Sequence, residues 1–423
     1  MKIILLPVGH TKNSWIQTPI IAKWRQINSL WDKAIVQTQK YADWSLGIHR
    51  LSVGNRIPIS GTIEVTQRCN HQCAHCYVNL PINDKEVRSR ELTYEEHCRI
   101  LDEITAAGCL WVCFTGGEIF VRKDFLDIYA YAKKKGLLPT LFTNGTLITA
   151  EIADFLVKWR PFNIEITLYG HTQKTYEKVT GVPGSYNRCL EGIHLLLVRG
   201  LPLELKAMAV TLNRHEIWDM KRFVEDDLGM EFKFDAMINP RCDCSRSPLE
   251  VRLSPAETVE LDLKDPKRVE EWKRISEEFG ANSHSRKDSD RVWQCGGGLN
   301  SFAVDAYGKL QTCVISKNEI YDLRKGSFQE GWQHFFFNLR QQKITKQTKC
   351  VTCGIKALCN MCPANAQLEC MDAESPVDYL CQVAHLRAYC FGIPIPPHGD
   401  CEYCEDGSRY QEMMQIVRKL IQH

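Results

Sequence analysis

Cys69, Cys73 and Cys76 stand in CNHQCAHCY as a CxxxCxxC triplet, directly after an alternating apolar run over residues 61–66. Soft sulfur suits iron, so three such thiolates can hold three corners of an iron–sulfur cube and leave the fourth iron open to a small molecule. A closed structural site wants four ligands, so the trio reads as reactive. The same spacing also suits zinc borrowing His71 or His75, or three unligated loop thiols. A second apolar run, over residues 110–115, ends in Gly116, Gly117 and Glu118. Paired glycines let backbone pass close to a ligand, and a glutamate accepts hydrogen bonds from an ammonium group.

A further cysteine system comprises Cys295, Cys313, Cys350, Cys353, Cys359, Cys362 and Cys381. Residues 301–312 read as a β-hairpin turning at 306–309, which brings Cys295 and Cys313 to the same end. Read blandly, the group is a zinc ribbon. Cys98, Cys109, Cys113 and Cys189 fall within regular elements and read as small buried apolar residues. Cys242 and Cys244 lie in a linker, and the tail pair Cys401 and Cys404 has redox or metal spacing.

Positioning these groups calls for an alternation of strands and helices. Apolar runs predict strands at 61–66, 109–115, 138–143, 163–168, 203–211 and 231–236. Helical periodicity predicts helices at 93–107, 124–135, 149–159, 185–199 and 215–227. Thr93 with Glu96 makes a capping box for the first helix, and Gly108, Gly136, Gly200 and Gly229 stand where helices end. Such alternation implies parallel β/α units, whose chemistry gathers at the carboxyl ends of the strands.

Composition agrees with a soluble enzyme. Among 423 residues, 44% are hydrophobic and 25% charged, with a net charge of +2, so no nucleic-acid footprint stands out. Lys133, Lys134 and Lys135 read as a solvated helix end. No apolar run is long enough to span a membrane, and MKIILLP is too short for a secretory signal. Twenty cysteines in such a chain point to metal rather than disulfides, and to a reducing cytoplasm. Residues 1–60 form an extension with Trp15, Trp24, Trp31 and Trp44. Residues 61–240 form the core, 241–294 a bridge interrupted by prolines, 295–404 the cysteine-rich segment and 405–423 a terminal helix.

The cysteine loop, with Tyr77 after its third cysteine, and the Gly116-Gly117-Glu118 turn resemble the radical SAM superfamily. The resemblance implies an α/β fold, a partial (β/α)6 TIM-type barrel. It also implies a [4Fe-4S] cluster on Cys69, Cys73 and Cys76 whose open iron chelates S-adenosyl-L-methionine, cleaved reductively to a 5′-deoxyadenosyl radical. Tyr77, Gly116, Gly117, Glu118, Asn144, Thr167 and Arg188 are the implied cofactor contacts.

The later cysteines resemble the SPASM extension, a small carboxyl-terminal domain with one or two auxiliary iron–sulfur clusters. Cys350, Cys353, Cys359 and Cys381 would serve the distal cluster, and Cys295, Cys313 and Cys362 the proximal one. Two departures stand out: only two residues separate Cys359 from Cys362, and Ser301 stands where an eighth cysteine would follow Cys295. The proximal cluster would then lack a fourth protein ligand or recruit Cys370, Cys242 or Cys244.

The combination implies a peptide maturase that oxidatively modifies, and crosslinks, a ribosomally made peptide or protein. It implies a flavodoxin- or ferredoxin-type electron donor and a separate leader-binding protein. Val314 stands where sulfatase-maturing relatives carry an acidic base, which lowers that alternative. A haem-pathway enzyme and a non-catalytic electron-transfer scaffold remain open, and the sequence names no catalytic base.

Overall fold

Glycine at position 61 decides how the sheet begins. A Cβ there would lie 2.4 Å from the ring of Phe302, so only a bare backbone lets that ring lie across the strand. The computed structural model describes residues 41–280, 290–396 and 398–422. Two compact units result, Met1–Arg56 and Ile57–His423. Within the first, Tyr41–Asn55 is a helix that carries Trp44; Trp15, Trp24 and Trp31 lie outside the described residues.

The second unit is built on β1 (Ser60–Thr66), β2 (Trp111–Gly116), β3 (Leu138–Thr143), β4 (Asn163–Leu168), β5 (Leu203–Met208) and β6 (Phe232–Asp235). These pair in parallel in that order, with helices between, as an incomplete barrel. On the other edge of β1 lie β7 (Ser301–Val304), β8 (Lys309–Gln311) and β9 (Tyr321–Asp322), completing a nine-stranded sheet. β7 pairs with β1 in parallel, Gly61 opposite Phe302, and turns back antiparallel into β8 as the hairpin signal predicts. Phe302 then packs on Phe328 at 4.7 Å between ring centres, beside Trp332.

The helix Tyr94–Ala106 starts at the expected capping box: Glu96 N–H donates to Thr93 Oγ1 and Thr93 N–H to Glu96 Oε2. It buries Ile100, Leu101 and Ile104 against the sheet. Gly108, Gly136, Gly200 and Gly229 all take positive φ after their helices.

Two expectations needed correction. The strand predicted over 203–211 stops at Met208, because the Asn213 side chain takes over its partners. Asn213 accepts from Val210 N–H at 2.8 Å and donates to the carbonyls of Met208 and Tyr169. The helix predicted over 215–227 is regular only at Ile217–Arg222 and widens to a π turn at Phe223–Asp227. An unanticipated helix, Gln173–Thr180, is capped by Thr172.

Pro255–Leu263 packs on Asp378–Phe391. The Thr258 and Tyr379 hydroxyls meet at 3.0 Å, and Asp262, almost fully buried, bonds Arg387 at 2.9 Å and Arg268 at 2.7 Å. Val259 enters one apolar cluster with Tyr379, Val383 and Leu386. The stretch before Cys295 therefore supplies core to the cysteine-rich end.

Candidate active site and cysteine clusters

Beyond Thr66 the chain enters the cysteine loop. Arg68–Cys69 pairs with Leu80–Pro81 in a short parallel ladder that closes the loop's base. Arg68 forks onto Glu91 at 2.9 and 3.0 Å, a charge-assisted pair of fixed geometry. The N–H groups of Gln72 and Ala74 donate to the Thr180 and Val179 carbonyls at the end of Gln173–Thr180. Arg241, from the stretch read as a bridge, donates to the Cys76 carbonyl at 3.3 Å and to Asn79 Oδ1 at 2.8 Å. The loop is held at its base, its back and its exit.

The charges of its thiols reach one another. Burial pushes the Cys69 thiol up to about 12, with the Glu118 carboxylate adding to the effect. Cys73 is raised by burial and then by Cys76 and Cys69, against a hydrogen bond from Tyr169. Burial also raises Cys76. Converging thiols that cling to their protons suit a site where a metal cation, once bound, replaces them. Backbone N–H groups of His71 and Asn79 point at Cys69 Sγ and Cys76 Sγ, each at 3.3 Å, as sulfur-bound negative charge would require. Among the described residues, neither His71 nor His75 joins this trio in a group compact enough for a single ion. The residues therefore fit an iron–sulfur cluster better than a borrowed zinc.

Gly116 and Gly117 allow a close approach, and what they approach is the chain itself. A Cβ would stand 2.0 Å from the Thr66 carbonyl oxygen at Gly116 and 2.3 Å from that of Arg68 at Gly117. Gly117 and Glu118 N–H groups donate to those carbonyls at 2.8 and 3.0 Å, locking the end of β2 to the start of the loop. Glu118 is wholly buried; its carboxylate accepts from Thr143 Oγ1 at 2.8 Å, Asn144 N–H at 2.7 Å and Phe120 N–H at 3.1 Å. An ammonium group would share a carboxylate already engaged by three donors.

Asn144 is similarly committed. Its Nδ2 donates to Asn70 at 2.9 Å and lies 3.8 Å from Cys69 Sγ, while Thr146 occupies its oxygen. Thr167 is half-buried at the end of β4. Arg188 is exposed, bonded to the Pro183 carbonyl at 3.4 Å, and its charge reaches His71. Tyr169, missed from sequence, lies 5.2 Å from the His75 ring and hydrogen-bonds Cys73; its place just past a strand end was the available signal.

Tyr77 lines a cavity of about 320 Å³ with Thr62, Cys113, Thr115 and Phe142 from the barrel strands. Ser301, Phe302, Thr312, Cys313 and Val314 complete it from the hairpin side. Behind it lies a buried ion pair that sequence reading also missed. Glu64 on β1, opposite Thr115, meets Lys317 at 3.3 Å. Burial raises the Glu64 carboxyl, Lys317 opposes the rise, and Glu64 Oε1 has no hydrogen-bond partner. A charged residue in an apolar alternation was the only local sign.

The later cysteines divide into two neighbourhoods. Cys295, Cys350, Cys353, Cys359, Cys362 and Cys381 line a cavity of about 450 Å³. Burial pushes Cys313 up to about 11, with Cys362 and Cys295 adding to it, so these three sulfurs form one group. Cys359 is pushed up to about 12 by burial and then by Cys350 and Cys353, which marks the other. Cys381 touches this second group, its thiol raised by a hydrogen bond to Cys401, by burial and by Cys359. Donor type fits iron–sulfur clusters in both places.

Cys370 is exposed, its thiol 3.8 Å from the Pro376 carbonyl, and Cys244 sits in a turn at positive φ. Cys242 contacts the Val314 carbonyl at 3.8 Å.

With this geometry in view, the relatives are informative. The model of the radical SAM superfamily matches residues 63–226, which run from the first strand past the fifth. The chain carries a radical SAM domain, the domain of enzymes that use a [4Fe-4S] cluster and S-adenosylmethionine. An AdoMet-dependent heme synthase of Methanosarcina barkeri is 26% identical, over 72% of this chain and 90% of the relative. The antilisterial bacteriocin subtilosin biosynthesis protein AlbA of Bacillus subtilis is 24% identical, over 72% of this chain and 67% of the relative. Streptococcus suis SuiB bound to precursor peptide SuiA superimposes with a TM-score of 0.59 over 86% of this chain and 88% of SuiB. At 15% identity that superposition speaks to the fold. No helix among the described residues is long and apolar enough to cross a membrane.

Proposed function

We propose that the chain is a peptide maturase that oxidatively modifies, and crosslinks, a ribosomally made peptide or protein. One observation carries this reading: the cavity beside the cysteine loop is walled jointly by the barrel strands and by Cys313 of the proximal group. When bound, S-adenosylmethionine and the clusters supply a hydrogen-abstracting oxidant and places for the removed electrons.

The chain's own residues would do the rest. Cys69, Cys73 and Cys76 hold the first cluster, and Glu118 and Asn144 fix the strand ends around it. Tyr77, Thr115 and Thr62 present ring and hydroxyl groups to the substrate. Glu64, with one free oxygen and a raised affinity for protons, stands ready behind them to accept a proton lost from the substrate. A relative named for bacteriocin biosynthesis and a fold neighbour carrying a precursor peptide support a peptidic substrate. Cytoplasmic location, a flavodoxin- or ferredoxin-type donor and a separate leader-binding protein belong to the same proposal.

A second reading, a haem-pathway reaction on an acidic tetrapyrrole, is favoured by the heme synthase match across most of both chains. Against it, no cationic side chain lines the smaller cavity, and the nearby Lys317 is paired with Glu64. The deciding experiment co-produces the enzyme with short peptides encoded beside it and reads them by tandem mass spectrometry. Loss of paired hydrogens from a peptide is expected. Unchanged peptides, with turnover of an iron tetrapyrrole by the purified enzyme, would overturn the maturase reading.

A further inference from the structure

Among the described residues, one group of side chains has the donor set and closeness of a single-metal site. His385, His398, Cys401 and Cys404 place their ligand atoms within 4.8 Å of one another; the first three are buried and Cys404 is half-buried. His385 lies on the helix Asp378–Phe391, and the other three come from the loop that follows.

The distances are those of a tetrahedron. Zinc bonds of about 2.3 Å to sulfur and about 2.0–2.1 Å to nitrogen, at tetrahedral angles, set N···S edges of about 3.6 Å. His385 Nε2 lies 3.4 Å from Cys401 Sγ and 3.5 Å from Cys404 Sγ, and His398 Nε2 lies 3.7 Å from Cys404 Sγ.

Both imidazoles are also turned for ligation. A carbonyl can only accept, so the 2.7 Å contact from His385 Nδ1 to the Cys381 carbonyl puts the proton on Nδ1. The 2.8 Å contact from His398 Nδ1 to the Pro396 carbonyl does the same there. Each Nε2 keeps its lone pair, the arrangement that fixes metal-bound histidines; that of His385 faces both thiols, while Cys404 Sγ lies 3.7 Å from His398 Nε2 and 3.9 Å from its Nδ1.

We infer that His385, His398, Cys401 and Cys404 bind a zinc ion in a closed Cys2His2 site that adjoins the distal cysteine group through the Cys381–Cys401 contact but shares no ligand with it. Four protein donors leave no open position, so the ion is structural. It clips the loop 398–404 to the helix that carries Cys381, and through the His385–Cys381 bond it steadies a cysteine of the distal group. Both cysteines bind as thiolates, and no redox change is involved. The site stands independently of the proposed reaction.

The test uses the full chain, purified anaerobically with its clusters, and measures zinc and iron together. About one zinc per chain is expected, with two sulfur and two nitrogen neighbours by zinc-edge X-ray absorption. Cys404→Ser and His398→Gln should lose most of that zinc while keeping their iron. His398→Cys, which preserves four donors, should keep it and covers the case in which the other variants fail to fold. A wild-type chain without zinc overturns the inference. So does zinc unchanged in both single variants, a soluble His398→Cys chain devoid of zinc, or iron lost in step with zinc.

Discussion

Glu64 and Lys317 lie 253 residues apart and meet at 3.3 Å inside the protein, joining the first strand to the segment beyond the hairpin. Glu64 is fully buried and Lys317 is 17% exposed. Removing one partner of such a pair leaves an uncompensated charge at a cost of about 3–5 kcal/mol, whereas removing both is far milder. Lys317→Met should therefore lower stability by about that much. Adding Glu64→Gln should recover most of the loss. Denaturant titrations of the two single variants and the double variant check this; strictly additive losses would show that the two groups do not depend on each other.

The same pair sets a pH dependence. Burial already raises the Glu64 carboxyl, and without Lys317 only the Gln67 hydrogen bond opposes the rise. The folded Lys317→Met chain then holds a proton more tightly than the unfolded chain. Its stability is present below the ordinary carboxylate range and is lost as pH rises through the folded value. Unfolding midpoints of this variant should fall with pH relative to wild type, and parallel profiles would contradict the assignment.

Gly117→Ala should injure the loop selectively. The new Cβ would lie 2.3 Å from the Arg68 carbonyl oxygen, and backbone cannot swing aside as a side chain can. A shift of about 1 Å at reacting groups can cost about a hundredfold in rate. Cleavage of S-adenosylmethionine should drop on that scale while iron at the later cysteines stays. Full activity in Gly117→Ala would mean that the contact yields.

Cys73→Ala should abolish cleavage and leave the auxiliary iron, because six of the later cysteines, all but Cys313, line a separate cavity. Cys359→Ala should instead reduce the auxiliary iron. Iron assays and 5′-deoxyadenosine release on each variant distinguish the two systems.

His97 carries a different pH signature. It is buried in the helix Tyr94–Ala106, neither ring nitrogen has a partner, and burial lowers its pKa to about 3. A depressed histidine gives stability that is complete above its unfolded value of about 6.5 and is lost as pH falls toward about 3. His97→Leu should flatten that acid limb in thermal unfolding; an unchanged limb would place the sensitivity elsewhere.

Local patterns wrote themselves plainly into this chain. The box of Thr93 and Glu96, the hairpin around 306–309 and the six parallel strands all rest on neighbours a few residues apart. What stayed hidden depends on distance along the chain. Nothing near Glu64 announces Lys317, and nothing near Arg241 announces Asn79. Glu118 looked free for a ligand because its donors, Thr143 and Asn144, come from the next strand. The histidines near Cys401 were partly legible, since His398 precedes it by three residues, but His385 enters only through the fold.

The pairing of β7 along β1 makes the barrel and the auxiliary cysteines parts of one slab of backbone hydrogen bonds. Such a slab has no hinge, so the separation between the two redox stations should stay constant from one turnover to the next. Expressing either portion alone would strip β1 of its neighbour and bare a row of unpaired amides, a template for clumping.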